Sequence, residues 1–82
     1  MDAAAAVRQA LAGIAPEADF DALDPDSDLQ EELDLDSMDF LNFLIALSEI
    51  TGVHVPESDY ALVRTFRACG EYVAARSAST GE

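Results

Sequence analysis

Between Asp36 and Gly52 the chain carries a complete instruction for one helix, and that helix limits what the remaining residues can build. Asp36 is a strong N-cap residue, and Asp39, three positions on, is a short-armed version of the capping-box acid. Gly52 is the residue type that ends helices in the left-handed conformation. The spacing predicts a helix over 37–51. At about 100° per residue, Phe40, Phe43, Leu44, Leu47 and Thr51 fall on one side and form the expected core face. The opposite side carries Met38, Leu41, Asn42, Ile45 and Glu49, an unusually apolar set for a surface.

A chain of 82 residues has room for one domain and one modest core around that helix. Asp2 can cap a helix through the alanine-rich opening, where Val7, Leu11 and Ile14 make one apolar stripe before Pro16 ends it. From Pro16 to Asp36 no period is sustained, so a long loop is expected, pinned by Phe20, Leu23, Leu29, Leu33 and Leu35. Pro56 suits the first turn of a short helix through Leu62. Thr65 can cap a last helix in which Phe66, Cys69 and Val73 share a face. The expected fold is an all-α four-helix bundle, three longer helices plus one short helix, with a domain over 1–76 and a disordered tail over 77–82.

Seventeen acids against four arginines, with no lysine, give a formal charge of −13, a field that repels nucleic acid and anionic membranes. Partners should therefore present basic patches. Eleven of the acids lie between Glu17 and Asp39, where they should repel one another, and the arginines are distant from them in sequence. Half of the residues are hydrophobic, so the chain is expected to fold despite that charge. No apolar run approaches the ~20 residues of a membrane span, and no cationic segment precedes an apolar one near Met1. With a single cysteine, Cys69, the expectation is a cytoplasmic monomer without disulfides.

The chemistry centres on Asp34-Leu35-Asp36-Ser37-Met38-Asp39, which sets a serine on the first turn of a helix behind a long acidic loop. A phosphodiester on that hydroxyl would lie at the positive end of the helix dipole, a natural anion site. On spacing alone, such a serine is an ordinary helix-start residue. From Val7 to Val73, however, the chain resembles the acyl carrier protein family. Glu32-Leu33-Asp34-Leu35-Asp36-Ser37-Met38-Asp39 is similar to that family's D-L-G-x-D-S-L-D signature. Ile50-Thr51-Gly52-Val53-His54-Val55-Pro56-Glu57 looks like the end of its second helix and the turn beyond, and Val63-Arg64-Thr65-Phe66 like its I-x-T-V stretch. The motif glycine three residues before the serine is Asp34 here, which puts the local turn geometry in question.

The resemblance implies that Ser37 receives 4'-phosphopantetheine from coenzyme A. The chain would then hold acyl intermediates of fatty acid, polyketide or related biosynthesis as thioesters and present them to partners, without catalysing a reaction itself. Those partners would be a phosphopantetheinyl transferase, an acyl-loading ligase or transferase, and a ketosynthase or other acyl-processing enzyme. Aspartate rather than histidine before the serine favours an acyl over a peptidyl or aminoacyl carrier. Asp36, Met38, Asp39, Leu41, Asn42, Ile45 and Glu49 are the candidate partner-recognition residues. Phe40, Phe43, Leu44 and Leu47 would line any sheltered space for an acyl chain, where two phenylalanines favour short chains or none.

Other readings compete less well. Asp24-Pro25-Asp26-Ser27-Asp28 opens like a calcium loop, but Leu29 stands where glycine is required and Leu35 where a bidentate glutamate belongs, so no metal site is expected. The lone His54 should point outward, and Cys69 has the spacing of a buried core thiol. A helical adaptor that keeps its serine unmodified and only binds a partner is the alternative outside the carrier class.

Overall fold

The computed structural model describes residues 2–80, with side chains through Arg76. Among the described residues the elements are α1 (Ala3–Ile14), α2 (Leu29–Glu32), α3 (Ser37–Thr51), a 3-10 helix (Glu57–Val63) and α4 (Phe66–Thr80). Each longer helix starts where a side chain can take up its free N–H groups. Asp2 accepts from the Ala4 N–H, Asp36 from the Asp39 N–H at 2.8 Å, and the Thr65 hydroxyl oxygen from the Ala68 N–H at 3.0 Å. Gly52 ends α3 at φ 75°, the left-handed conformation that costs glycine least. The backbone of α4 is helical to Thr80, so the tail expected from Ser77 begins within this helix, and residues 81–82 lie outside the described residues.

α1 packs on α3 and α4, and the 3-10 helix packs on α4. Val7 and Leu11 from α1, Phe43 and Leu47 from α3, Val63, and Cys69 and Val73 from α4 meet in one core. All the core positions read from α3 are buried except Thr51, whose half-buried hydroxyl donates to the Leu47 carbonyl at 2.7 Å. Burial pushes the Cys69 thiol up to about 12, because the thiolate has no solvent or cation to stabilise it there. His54 is exposed, as its alternation with Val53 and Val55 requires.

Two local expectations are corrected. The segment between α1 and α3 is not an uninterrupted loop, because Asp28 caps the single turn of α2 by accepting from the Gln30 and Glu31 N–H groups. Pro56 stands outside the short helix as its N-terminal flanking residue, and that helix is 3-10 in form and continues to Val63. Its tighter winding suits a short connector.

The acidic segment is also less isolated than its sequence distance from the arginines implies. The Leu29 N–H donates to the Arg64 carbonyl at 2.7 Å and the Arg67 N–H to the Pro25 carbonyl at 3.0 Å, which fastens residues 25–29 to the start of α4. That junction brings Arg64 onto Asp28 and Arg67 onto Asp26, while Arg8 reaches Asp21 and Arg76 reaches Asp59. The Arg67 hydrogen bond holds the Asp26 carboxyl below the usual carboxylate range. At Asp28, burial acts to raise the carboxyl, but the hydrogen bonds from Arg64, Gln30 and Glu31 outweigh it and the net direction is down. Among the described residues no helix is long and apolar enough to cross a membrane.

A carboxyl lowered in the folded state adds stability above its unfolded pKa, and that contribution is lost as pH falls through the folded value. Asp28→Asn keeps a capping side chain but removes the charge facing Arg64. The variant should be less stable than wild type by about 0.5–1 kcal/mol at neutral pH, the range of partly exposed ion pairs. The gap should narrow as pH falls below the ordinary carboxylate value of 3.8, as Asp28 protonates in the wild type. Urea denaturation of both proteins from neutral pH down through that value measures it.

Candidate functional site

Ser37 is the first residue of α3, and its side chain is exposed. At this position a helix supplies no carbonyl for the first N–H groups, and the Asp36 carboxylate takes that of Asp39, two residues further in. The amides of Ser37 and Met38 therefore lie at the helix mouth beside the hydroxyl.

The turn delivering Ser37 to that place depends on Asp34. Its φ of 55° is the one left-handed value among the described non-glycine residues. The Leu35 N–H donates back to the Gln30 carbonyl at 2.8 Å, so α2 ends in a Schellman-type turn with Asp34 at its left-handed position. Glycine is favoured there, and aspartate is among the few other residues that tolerate it. The departure from the motif glycine thus leaves the left-handed backbone in place. Beyond the turn Leu35 is buried and Asp36 is extended, which starts α3 in register with its core face.

A hollow of about 520 Å³ lies beside Ser37, between α3, α2 and the 3-10 helix. Its apolar part is formed by Met38, Phe40 and Leu41 facing Tyr60 and Ala61, and its polar rim by Gln30, Arg64 and Glu57. A second hollow of about 330 Å³ shares Leu41 and Tyr60 and continues along α3 past Ile45 to Glu49 and His54. An exposed nucleophilic oxygen at a helix mouth, opening onto an apolar trough with a polar rim, suits a covalently held arm that has a phosphate at its root and a flexible, partly apolar body.

A scan against family models matches residues 5–73 to the phosphopantetheine attachment site model. The chain belongs to that family. It is a carrier, with 4'-phosphopantetheine as its covalently attached cofactor, and is not an enzyme. Comparisons with curated proteins and with solved structures gave no match.

The carrier's sequence-identified residues divide cleanly. Met38, Leu41, Asn42, Ile45 and Glu49 are exposed along one side of α3, the cap residue Asp36 is exposed at its N-terminal end, and Asp39 is half-buried with its N–H turned to the Asp36 carboxylate. Met38 is 64% exposed and Ile45 49%, so neither serves the core. Phe40, Phe43, Leu44 and Leu47, expected to border any inner acyl space, are packed as core, with the Phe40 and Phe43 ring centroids 6.0 Å apart. Phe40 also meets Tyr60 edge-on at 6.2 Å, which places this pair between the outer hollow and the interior. Sequence reasoning missed Gln30, Tyr60, Ala61 and Arg64 as neighbours of Ser37. The i, i+3 spacing of Glu57 with Tyr60 and of Ala61 with Arg64 puts each pair on one stripe of a 3-10 helix, a signal that the sequence carries.

The turn makes a specific demand at Asp34. Asp34→Asn and Asp34→Gly should stay within about 0.5 kcal/mol of wild type and remain substrates for modification, since both tolerate positive φ. Asp34→Val should lose about 1–2 kcal/mol, because a β-branched residue is strained there. Denaturation midpoints and the rate of mass gain on modification give the two readouts.

Proposed function

We propose that Ser37 is the attachment residue and that this carrier presents acyl intermediates of fatty acid, polyketide or related biosynthesis to successive enzymes. The observation that carries the reading is the place of Ser37: an exposed hydroxyl on the first turn of α3, opening onto the 520 Å³ hollow. During modification the Ser37 Oγ–P bond forms while the pyrophosphate bond of coenzyme A breaks; adenosine bisphosphate leaves, and the hydroxyl proton passes to the transferase. The attached arm then supplies a terminal thiol that holds the acyl group as a thioester. Cys69 does not compete with that thiol, because it is fully buried and protonated at physiological pH. Asp36 in the place before the serine supports an acyl rather than a peptidyl cargo, as in the family motif. The same reading puts the chain in the cytoplasm, beside the coenzyme A that supplies the arm.

The exposed side of α3 is the surface offered to the phosphopantetheinyl transferase, the loading enzyme and the ketosynthase or other processing enzymes. It mixes Asp36, Asp39 and Glu49 with Met38, Leu41, Asn42 and Ile45, so its carboxylates stand at the ends of an apolar centre. Apolar anchors dominate affinity at the centre of an interface, and charges at the rim act mainly on association rate.

With a broad-specificity transferase and coenzyme A, the wild type should gain one phosphopantetheinyl mass and one fast-reacting thiol. Ser37→Ala should gain neither while keeping its stability to within about 0.5 kcal/mol, since only an exposed hydroxyl is removed. Modification of the alanine variant, seen by intact mass, would refute the assignment. On the partner surface, Met38→Ala and Ile45→Ala should slow acyl transfer to the dedicated enzyme more than Glu49→Gln does, with melting temperatures unchanged. Transfer lost only in Glu49→Gln would return recognition to the acidic rim.

A further inference from the structure

Phosphodiester attachment at Ser37 puts another negative charge on a chain that already carries −13, beside Asp34, Asp36 and Asp39. The positive end of α3 offers only partial compensation, because the Asp36 carboxylate and Asp39 in the first turn already draw on it. A full cation should therefore stand near the root of the arm, and the chain has four arginines from which to supply it. Arg8 lies over the Phe20 ring and pairs with Asp21, Arg67 pairs with Asp26, and Arg76 lies over the Tyr72 ring and pairs with Asp59. None of these three lines the hollow at Ser37. Arg64 does.

The geometry around Arg64 is that of a held donor. Asp28 Oδ2 accepts from its guanidinium, and the other oxygen of that carboxylate is occupied by the Gln30 and Glu31 N–H groups. Asp28 is thus fixed by the cap of α2 and holds the guanidinium at the rim. A guanidinium has five N–H donors in a planar fork, so one bond to a carboxylate leaves others for a second anion. The Arg64 side chain is 52% exposed, which gives an incoming phosphate access. Its backbone is held as well, because its carbonyl accepts from the Leu29 N–H.

We propose that Arg64 is a positioning residue for the phosphopantetheine arm, pairing with the phosphodiester on Ser37 from across the hollow while Asp28 holds it in place. The inference rests on Ser37 being the attachment residue. It makes the Asp28–Arg64 pair a link between the acidic segment and the root of the arm, and it assigns the motif position before Thr65 a role toward the cofactor.

Two measurements test it, neither of which requires a partner enzyme. With only four arginines, the side-chain Nε–H signals in a ¹⁵N-labelled sample can be assigned and followed from apo to holo protein. Arg64 should shift on modification while Arg8, Arg67 and Arg76 stay in place. The second measurement is the holo-minus-apo difference in melting temperature for wild type, Arg64→Gln and Arg67→Gln. Both variants lose an ion pair to the acidic segment, so their apo forms report the structural cost. Only Arg64→Gln should make modification itself more destabilising, by about 3 °C relative to wild type. An unmoved Arg64 signal, or equal differences in the two variants, overturns the proposal with Ser37 still the attachment point. If Ser37 gains no phosphopantetheine in the wild type, the proposal falls together with the functional reading.

Discussion

The bond from the Leu29 N–H to the Arg64 carbonyl is the constraint on which the position of the site depends. Twenty-two residues separate the end of α1 from the start of α3. A connection of that length has no fixed path unless something outside it supplies one. The Leu29 bond, the Arg67 N–H to the Pro25 carbonyl and the burial of Leu29 supply it by fastening the segment to the entrance of α4. α2 can then form as a single turn, which would be unstable alone because a helix nucleus orders several residues for one hydrogen bond. The Schellman-type turn at Asp34 follows from the end of α2, and the first residue of α3 follows from that turn. Ser37 is thus placed by a chain of local geometries that begins at a contact made across the fold.

Electrostatics adds to this placement. Spread over a solvated surface, the acids of a loop repel one another but can move apart. Fastening residues 25–29 removes that freedom, and it does so with Asp26 and Asp28 facing Arg67 and Arg64. The backbone bonds and ion pairs therefore support one another: the pairs offset the repulsion that ordering concentrates, and the ordering holds the side chains within reach. The acids outside these pairs keep the outer field negative.

The sequence made α3 legible to the residue, because its cap, its stop and its core stripe are all local and agree with one another. The caps at Asp2 and Thr65 and the burial of Cys69 were legible for the same reason. α2 was not, since a four-residue helix has no period to detect and this one is held by partners 36 positions away. The arginine pairs were missed because distance along the chain was taken for distance in space. Within the candidate site, Ser37 was singled out through a motif, which records residue identity. The wall opposite it, with Tyr60, Ala61 and Arg64, had to await the packing of the 3-10 helix.

α3 also separates the residues that hold the fold from those left at the surface. Its inward residues, Phe40, Phe43, Leu44 and Leu47, are locked into a core shared with α1 and α4, where large-to-small changes cost about 2–5 kcal/mol. Its outward residues, Met38, Leu41 and Ile45, are exposed and carry little of that load. In a domain of 82 residues, where a few kcal/mol decide between folded and unfolded, this division lets the exposed side of α3 change while the core stays fixed. Phe40 is the exception, because it is buried against Phe43 and also lines the hollow at Ser37 opposite Tyr60. At that one ring the shape of the trough and the stability of the fold are set by the same side chain. A carrier that altered the trough through Phe40 would therefore have to repack its core, whereas one that altered it through Met38 or Leu41 would not.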